Sequence, residues 1–375
     1  MSQANIQQLN EFGQSVWLDY ISRSIIKSGK LKEMIGLGLR GMTSNPTIFE
    51  KSIGQSNDYD EYIINSCIAG QSTFEIYDDL TIKDIQDAAD MFLPVYEESN
   101  GLDGYVSLEI NPNLAYKAEE TIEEGKRLRK KVNRPNVMFK VPATDQGFKA
   151  IEELTASGIN INITLMFSVK QYINTAHAYK RGIKRFLQNK GDVTGVCSVA
   201  SIFVSRIDTL VDNLIDEMLA KERSQEKKKQ FRLMKGKSAV ANSQLVYRKY
   251  LDTTSSAEFK QLQDKGVRLQ RLLFGSTGTK NPAYSDIKYV TELIGKNTIN
   301  TVPEHTFYAF LDHGEVKEAL TPDDSNARKV IDTLKSLDID IDGVCAQLLK
   351  DGVVIFSKSF ESLLHLIEEK AKVLC

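Results

Sequence analysis

The chain has 375 residues, enough for one large core or two ordinary domains, and its 48 Lys and Arg nearly balance its 50 Asp and Glu, for a formal net charge of −2. That balance argues against a general nucleic-acid or membrane-surface binder. The four cysteines form no CxxC pair and the N-terminus has no apolar signal core, so we expect no disulfide framework, no zinc site and a cytoplasmic location.

Strand-like and helix-like segments alternate along the chain. After a short helix near residues 3–14, the predicted strands are 16–19, 39–43, 105–109, 137–141, 160–165, 196–200, 271–275 and 298–302. This number and order favour a parallel (β/α)8 barrel, the TIM barrel. A doubly wound open sheet is the alternative, and the lack of a GxGxxG turn after the first strand weakens it.

The C-terminal part of the chain is predicted to be helical. We expect residues 1–322 to form the barrel domain and residues 323–375 a helical extension packed on it, because the apolar face at 360–374 must be buried somewhere. The basic run at 221–237 contains glutamates and no interleaved aromatic residues, which is more typical of a solvated helix face than of a nucleic-acid patch.

The stretch 136–167 reads as strand, helix and strand, the length of a βαβ unit. Its first strand carries Lys140 at its end, and Pro142 is expected to stop that strand because proline has no amide hydrogen. Burying a lysine is costly unless something uses it. The strand alone is equally compatible with a catalytic amine and with a lysine that snorkels to solvent.

A polar or charged side chain lies at or just after the C-terminal end of each of the first seven predicted strands. In a barrel this end of the strands carries the chemistry, so the pattern predicts an active site there. The candidates, in chain order, are Asp19, Asn45, Glu109, Lys140, Asn162 with Thr164, Ser201 with Arg206, and Ser276 with Lys280. The histidines are scattered without HExxH spacing, and no metal site is expected.

Six long segments contain or adjoin these candidate residues. They are GMTSNPTIFEKSI at 41–53, GYVSLEINPNLA at 104–115, VMFKVPATDQGFKAIEEL at 137–154, ININITLMFSVKQY at 159–172, SVASIFVSRIDTLVD at 198–212 and GSTGTKNPAYSD at 275–286. Together they resemble the transaldolase family, within the class I Schiff-base aldolases. The helical region at 220–270 and the STGTKNPAY loop are similar to the longer bacterial subfamily.

The resemblance implies a cofactor-free transferase of the pentose phosphate pathway that moves a dihydroxyacetone unit between sugar phosphates. Lys140 matches the Schiff-base lysine and Asp19 the acid/base for the C4 hydroxyl. Glu109 matches the acid/base that works through a water on the carbinolamine, and Thr164 the residue that holds this water. Asn45 and Asn162 match residues that bind substrate hydroxyls.

The resemblance also implies a phosphate site. Ser201 and Arg206 match it directly, and Ser276 and Lys280 are assigned to it from a loop whose length differs from that of the shorter subfamily. Which of Ser276, Thr277, Thr279 and Lys280 touches phosphate therefore stays open. The expected partners are sugar phosphates, with no nucleic acid and no membrane, and the chain is expected to be a monomer or a homodimer.

Two other functions remain open from the sequence. One is a sugar-phosphate aldolase on the same barrel, which releases the three-carbon unit; in that relative the residue matching Glu109 is usually not a carboxylate. The other is a non-catalytic sugar-phosphate-binding barrel, which would have no need of Lys140.

Overall fold

The computed structural model describes residues 3–374, and within this range eight parallel strands form a closed barrel. Met1, Ser2 and Cys375 lie outside the described residues. The strands are β1 (Gln14–Asp19), β2 (Gly41–Thr43), β3 (Tyr105–Glu109), β4 (Val137–Pro142), β5 (Ile161–Met166), β6 (Ser198–Phe203), β7 (Arg271–Gly275) and β8 (Thr298–Val302). Because β1 pairs with both β2 and β8, the sheet closes on itself, which confirms the predicted (β/α)8 barrel and excludes the doubly wound sheet.

Helices connect the strands on the outside of the barrel. They are α1 (Gln3–Phe12), α2 (Arg23–Lys27), α3 (Lys30–Gly36), α4 (Pro46–Gly54), α5 (Asp60–Ile68), α6 (Thr73–Glu98), α7 (Ala118–Val132), α8 (Asp145–Ala156), α9 (Val169–Gln188), α10 (Ser205–Lys221), α11 (Gln225–Met234), α12 (Ser238–Thr254), α13 (Ala257–Gln263), α14 (Lys288–Thr291), α15 (Glu304–His313), α16 (Ser325–Ser336) and α17 (Ile341–Leu374). Over residues 3–374, none of these helices is both long enough and apolar enough to cross a membrane.

Five strands, β1, β2, β4, β5 and β6, differ from the sequence prediction at one or both ends, and the differences in β4 and β6 bear on the site. β4 continues through Pro142 instead of stopping before it, since the next amide, that of Ala143, still donates to the carbonyl of Thr164 at 2.9 Å. β6 runs to Phe203, three residues beyond its predicted end, so Ser201 lies inside the strand and not after it. The strand ends are therefore set by pairing with neighbours, which local sequence does not reveal.

The N-terminal end of the barrel is filled. Trp17 packs there with Tyr105, and Gly41 on the adjacent strand leaves room for the indole, because a Cβ at Gly41 would lie 2.6 Å from it. Beneath them, the Arg271 guanidinium forms a buried ion pair with Asp103 at 3.0 Å. A ligand can therefore enter the barrel only from the C-terminal ends of the strands.

The last helix, α17, lies across that open end. Its Gly352 packs against Leu165 of β5, with so little room that a Cβ would lie 2.7 Å from the leucine side chain. Further along, Ser359 hydrogen bonds to Thr47 of α4 at 2.9 Å, and Lys370 pairs with Asp60 of α5 at 2.7 Å. The helix thus spans from the end of β5 to the helices that follow β2.

Candidate active site

Strand register places three of the predicted residues side by side. Glu109 is the register partner of Lys140, and Lys140 is the register partner of Asn162, so the three side chains lie at one level of the sheet. Register partners on parallel strands face the same side. All three are buried, with Lys140 only 3% exposed and Glu109 6% exposed.

The Lys140 amine has two close partners. Its Nζ donates to the backbone carbonyl of Ser44 at 3.0 Å and lies 3.5 Å from Oε2 of Glu109. The side chain therefore does not snorkel to solvent, because it ends inside the barrel beside a carboxylate. A buried amine held at a defined position can act as a nucleophile once it has lost its proton.

Two carboxyl groups flank this lysine, and burial raises the pKa of both. The pKa of Glu109 is raised from 4.5 to about 7, mainly by burial and against the opposing charge of Lys140. Burial also raises the pKa of Asp19, and again the Lys140 charge opposes the rise. Because the pKa of Glu109 lies near neutral pH, this carboxyl group can both give and take a proton, which general acid/base catalysis requires.

The raised pKa of Glu109 predicts a pH-dependent stability. Between pH 4.5, where the unfolded chain releases this proton, and about pH 7, the folded protein still holds it, so stability that is present below pH 4.5 is lost as the pH rises. We expect Glu109→Gln to remove this loss, so that its free energy of unfolding, from urea titrations at about pH 5 and about pH 8, falls less than that of the wild type. The exposed Glu119→Gln is the matched control and should behave as the wild type. An identical pH dependence in Glu109→Gln and the wild type would contradict the raised pKa.

Asp19 is held by a hydroxyl pair at the barrel rim. Thr43 donates from Oγ1 to Oδ1 of Asp19 at 2.8 Å, and the same Oγ1 lies 2.8 Å from Oγ1 of Thr301. Thr43 is the register partner of Asp19 on β2, so the hydrogen bond fixes the carboxylate at the level of the cavity. The sequence analysis missed Thr43, although its position at the end of a predicted strand was a usable signal.

The polar side chains beside Lys140 already form hydrogen bonds within the protein. Asn162 donates from Nδ2 to Ser107 at 3.0 Å and accepts from the Ser201 hydroxyl at 2.6 Å, which fixes the orientation of its amide. Asn45 caps α4 by accepting from the amide of Ile48 at 3.0 Å. The capping bond engages the Asn45 oxygen, so within the described chain its amide nitrogen is left to donate elsewhere.

Arg206 lies at the first turn of α10, and its guanidinium lies close to two aromatic rings. The Cζ atom is 5.6 Å from the centroid of Phe203 and 5.8 Å from that of Phe356. Burial lowers the pKa of Arg206, against the charge of Asp19, and the group still remains charged at neutral pH. A positive charge in a partly desolvated cavity suits a phosphate group.

Two threonine hydroxyls of the loop after β7 are already hydrogen bonded to backbone carbonyls. Thr277 donates to the carbonyl of Thr301 at 2.8 Å and so ties the loop to β8, and Thr279 donates to the carbonyl of Ser285 at 2.9 Å within the loop. Ser276 adopts a left-handed backbone conformation with φ of 54° and lies 3.0 Å from Ser205, hydroxyl to hydroxyl. Lys280 is exposed at the surface, and partial desolvation of its amine, followed by the Arg206 charge, lowers its pKa.

A cavity of about 70 Å³ opens between these groups. The predicted residues that line it are Asp19, Asn45, Lys140, Asn162, Ser201, Arg206 and Ser276. Glu109 and Thr164 do not line it: Glu109 contacts Lys140, and both Oε2 of Glu109 and Oγ1 of Thr164 are buried without a hydrogen-bond partner in the described chain. Lys280 lines a neighbouring cavity beside α10.

A larger cavity of about 470 Å³ lies outside the barrel mouth. It is formed by the N-terminal ends of α8 and α9 and by α17, and none of the predicted site residues lines it. Its size alone would favour this cavity as the active site. The charged groups with shifted pKa, Asp19 and Arg206, line the smaller cavity together with Lys140, so we take the smaller cavity as the candidate active site. No group of three or more His, Cys, Asp or Glu side chains that could hold a metal ion occurs among residues 3–374.

The comparisons with known proteins identify the family of the chain. The sequence model of the family described as Transaldolase/Fructose-6-phosphate aldolase matches residues 16–367. A protein named Transaldolase from Trichodesmium erythraeum (strain IMS101) is 46% identical over 373 residues, covering 99% of this chain and 98% of that protein. Transaldolase 2 from Nostoc sp. (strain PCC 7120 / SAG 25.82 / UTEX 2576) is 44% identical over 376 residues, with 99% and 98% covered. The chain belongs to the transaldolase/fructose-6-phosphate aldolase family.

The family predicted from the sequence motifs is therefore confirmed, as is the enzyme class, transaldolase, a transferase. The Transaldolase of Saccharopolyspora erythraea, 41% identical over 369 residues with 98% of both chains covered, agrees. Since the alignments extend over nearly the full length of these bacterial relatives, they include the long helical region at 220–270 as well as the barrel.

Proposed function

We propose that the enzyme moves a dihydroxyacetone unit between sugar phosphates of the pentose phosphate pathway, through a Schiff base on Lys140. The donor is fructose 6-phosphate or sedoheptulose 7-phosphate, and the acceptor is erythrose 4-phosphate or glyceraldehyde 3-phosphate. The observation that carries this proposal is the buried Lys140 amine, 3.5 Å from Glu109 in a cavity that Asp19 also lines.

Formation of the Schiff base needs proton transfers at Lys140. The neutral amine attacks the ketose carbonyl at C2 to give a carbinolamine, whose hydroxyl must leave as water. Glu109, next to the amine and with a pKa raised to about 7, can take the amine proton and return it to the departing hydroxyl. The buried hydroxyl of Thr164, which has no hydrogen-bond partner in the described chain, is available to hold a water on this path.

Cleavage of the carbon–carbon bond then needs a base at the C4 hydroxyl. Asp19 takes this proton, the C3–C4 bond breaks, and its electron pair moves into the imine to form an enamine as the first aldose leaves. The enamine attacks the acceptor aldehyde, Asp19 returns the proton to the new hydroxyl, and water releases the product from Lys140. The raised pKa of Asp19 favours its return to the protonated form.

The rest of the cavity orients the two sugars. Asn45 and Asn162 bind hydroxyl groups, and Asn162 is held for this by Ser107 and Ser201. Arg206, Ser201 and Ser276 take the phosphate, since all three line the cavity. Lys280 adds positive charge beside Arg206. We infer that Ser276, and not Thr277 or Thr279, is the loop hydroxyl that meets phosphate, because Ser276 lines the cavity whereas the other two do not line it and donate to backbone carbonyls.

Transfer and release of the three-carbon unit can be told apart by the need for an acceptor. With fructose 6-phosphate alone we expect almost no free dihydroxyacetone, and with erythrose 4-phosphate added we expect sedoheptulose 7-phosphate at the full rate, because the enamine waits for an aldehyde. Chromatography of the products with and without acceptor checks this. Steady production of dihydroxyacetone without an acceptor would indicate an aldolase. No turnover with or without the acceptor would indicate a non-catalytic barrel that binds sugar phosphates.

Three further features belong to this proposal. Residues 1–322 form the catalytic barrel and residues 323–375 an extension, which the packing of α17 on α4 and α5 supports. The enzyme is cytoplasmic, as its reaction and the unpaired Cys67, Cys197 and Cys345 among residues 3–374 suggest. It acts as a monomer or a homodimer, without nucleic acid or membrane.

A further inference from the structure

The Arg206 guanidinium has no polar anchor of its own. It carries five N–H donors, yet it makes no hydrogen bond and no ion pair within residues 3–374. Elsewhere in the chain a guanidinium is held by carboxylates: Arg127 donates to Asp78 at 2.7 Å and to Glu124 at 2.7 Å. A guanidinium that binds a ligand needs its N–H donors for that ligand. Contacts that do not use these donors must therefore hold it in place.

Two aromatic rings hold the Arg206 guanidinium in place. Phe203 and Phe356 lie 5.6 Å and 5.8 Å from the guanidinium carbon, within the distance at which a cation is attracted to a ring. This attraction uses the charge and none of the N–H donors, so all five remain for a ligand. Phe203 belongs to the barrel strand β6, but Phe356 comes from α17, outside the barrel.

The position of Phe356 is set by its own helix. Gly352, one turn before it, packs on Leu165 at the end of β5, and Ser359, almost one turn after it, hydrogen bonds to Thr47 at the start of α4. Residues three and four apart lie on one helix face, so the same face of α17 that seats on the barrel also presents Phe356 to the cavity. The ring is 2% exposed and lines the active-site cavity.

We propose that Phe356 is a positioning residue for substrate phosphate: with Phe203 it holds the Arg206 guanidinium so that its donors meet the phosphate group of the sugar. The C-terminal helix is then part of the specificity apparatus for phosphorylated sugars. This inference rests on the proposed function, in which Arg206 binds phosphate.

Phe356→Leu tests the inference, because leucine keeps an apolar side chain but removes the ring. The measured quantity is the ratio of kcat/KM for erythrose 4-phosphate to kcat/KM for erythrose, with fructose 6-phosphate as donor. We expect this ratio to fall about tenfold in Phe356→Leu, mainly through a higher KM for the phosphorylated acceptor. Phe356→Met, which preserves length and bulk, should give the same fall and replaces Phe356→Leu if that variant folds poorly.

Phe360→Leu is the matched control. It is the same substitution one turn further along α17, at a residue that is also 2% exposed but packs edge-on against Tyr77, 5.1 Å between centroids, and does not line the cavity. We expect its ratio to equal that of the wild type. In an Arg206→Lys background, Phe356→Leu should change the ratio by less than about twofold, because the guanidinium is gone.

The outcomes separate this inference from the function on which it rests. The positioning role would be overturned if the kcat/KM ratio fell equally in Phe356→Leu and Phe360→Leu. It would also be overturned if Phe356→Leu lowered the ratio as much in the Arg206→Lys background as in the wild type. Either result would leave the transferase function intact. A wild-type enzyme that uses erythrose as well as erythrose 4-phosphate, or transfers to neither, would instead overturn the proposed function.

Discussion

Replacing Lys140 with alanine is expected to lower kcat by about four orders of magnitude or more, because no other amine can form the Schiff base in the cavity. The amine is 3% exposed, lines the cavity and is held by the Ser44 carbonyl at 3.0 Å, so its loss removes the nucleophile and not a surface charge. A coupled assay of transfer from fructose 6-phosphate to erythrose 4-phosphate measures the effect.

The fold of this variant should survive. Without Lys140, the neighbouring Glu109 loses the charge that opposes its raised pKa, so it is expected to stay protonated and thus to avoid a buried unpaired charge. Circular dichroism and the thermal midpoint should stay close to the wild type. The exposed Lys149→Ala on α8 is the control and should keep full activity. Turnover near the wild-type level in Lys140→Ala would exclude the Schiff-base mechanism.

Replacing Asp19 with asparagine is expected to lower kcat by about two to four orders of magnitude while leaving the Schiff base able to form. In the wild type the Thr43 hydroxyl lies 2.8 Å from Oδ1 of Asp19. Asparagine keeps the size of the side chain and can still accept this hydrogen bond, but it cannot take the proton of the C4 hydroxyl. The covalent complex with fructose 6-phosphate should therefore accumulate before cleavage of the C3–C4 bond.

Two measurements on Asp19→Asn separate these steps: the coupled assay gives turnover, and mass spectrometry after borohydride reduction gives the fraction of enzyme carrying a six-carbon adduct. The exposed Asp145→Asn serves as control and should match the wild type in both. If Asp19→Asn lost the adduct together with turnover, Asp19 would act in Schiff-base formation, and its separate assignment from Glu109 would be wrong.

Much of the fold could be predicted because the strand signals are local. Short apolar runs bounded by turn residues marked all eight strands, and their number with intervening helices favoured the barrel. The ends were less certain: β6 extends to Phe203 and β4 includes Pro142, since pairing with the adjacent strands decides where a strand stops.

The site was predictable where a side chain sits at a strand end, and not where it arrives from far along the chain. Lys140, Asp19 and Asn162 followed from strand ends and from matching motifs. Phe356 could not be found this way, because it lies about 150 residues after Arg206 on a helix whose docking depends on Gly352 and Ser359. Nor does the sequence show that the hydroxyls of Thr277 and Thr279 are hydrogen bonded to backbone carbonyls.

The measurement that bears most directly on the mechanism is the location of the covalent bond. The enzyme is incubated with fructose 6-phosphate, reduced with borohydride, digested and mapped by mass spectrometry. We expect one modified lysine, Lys140, in the wild type, and no modification in Lys140→Ala. An adduct on another lysine such as Lys280, or no adduct at all, would contradict the account.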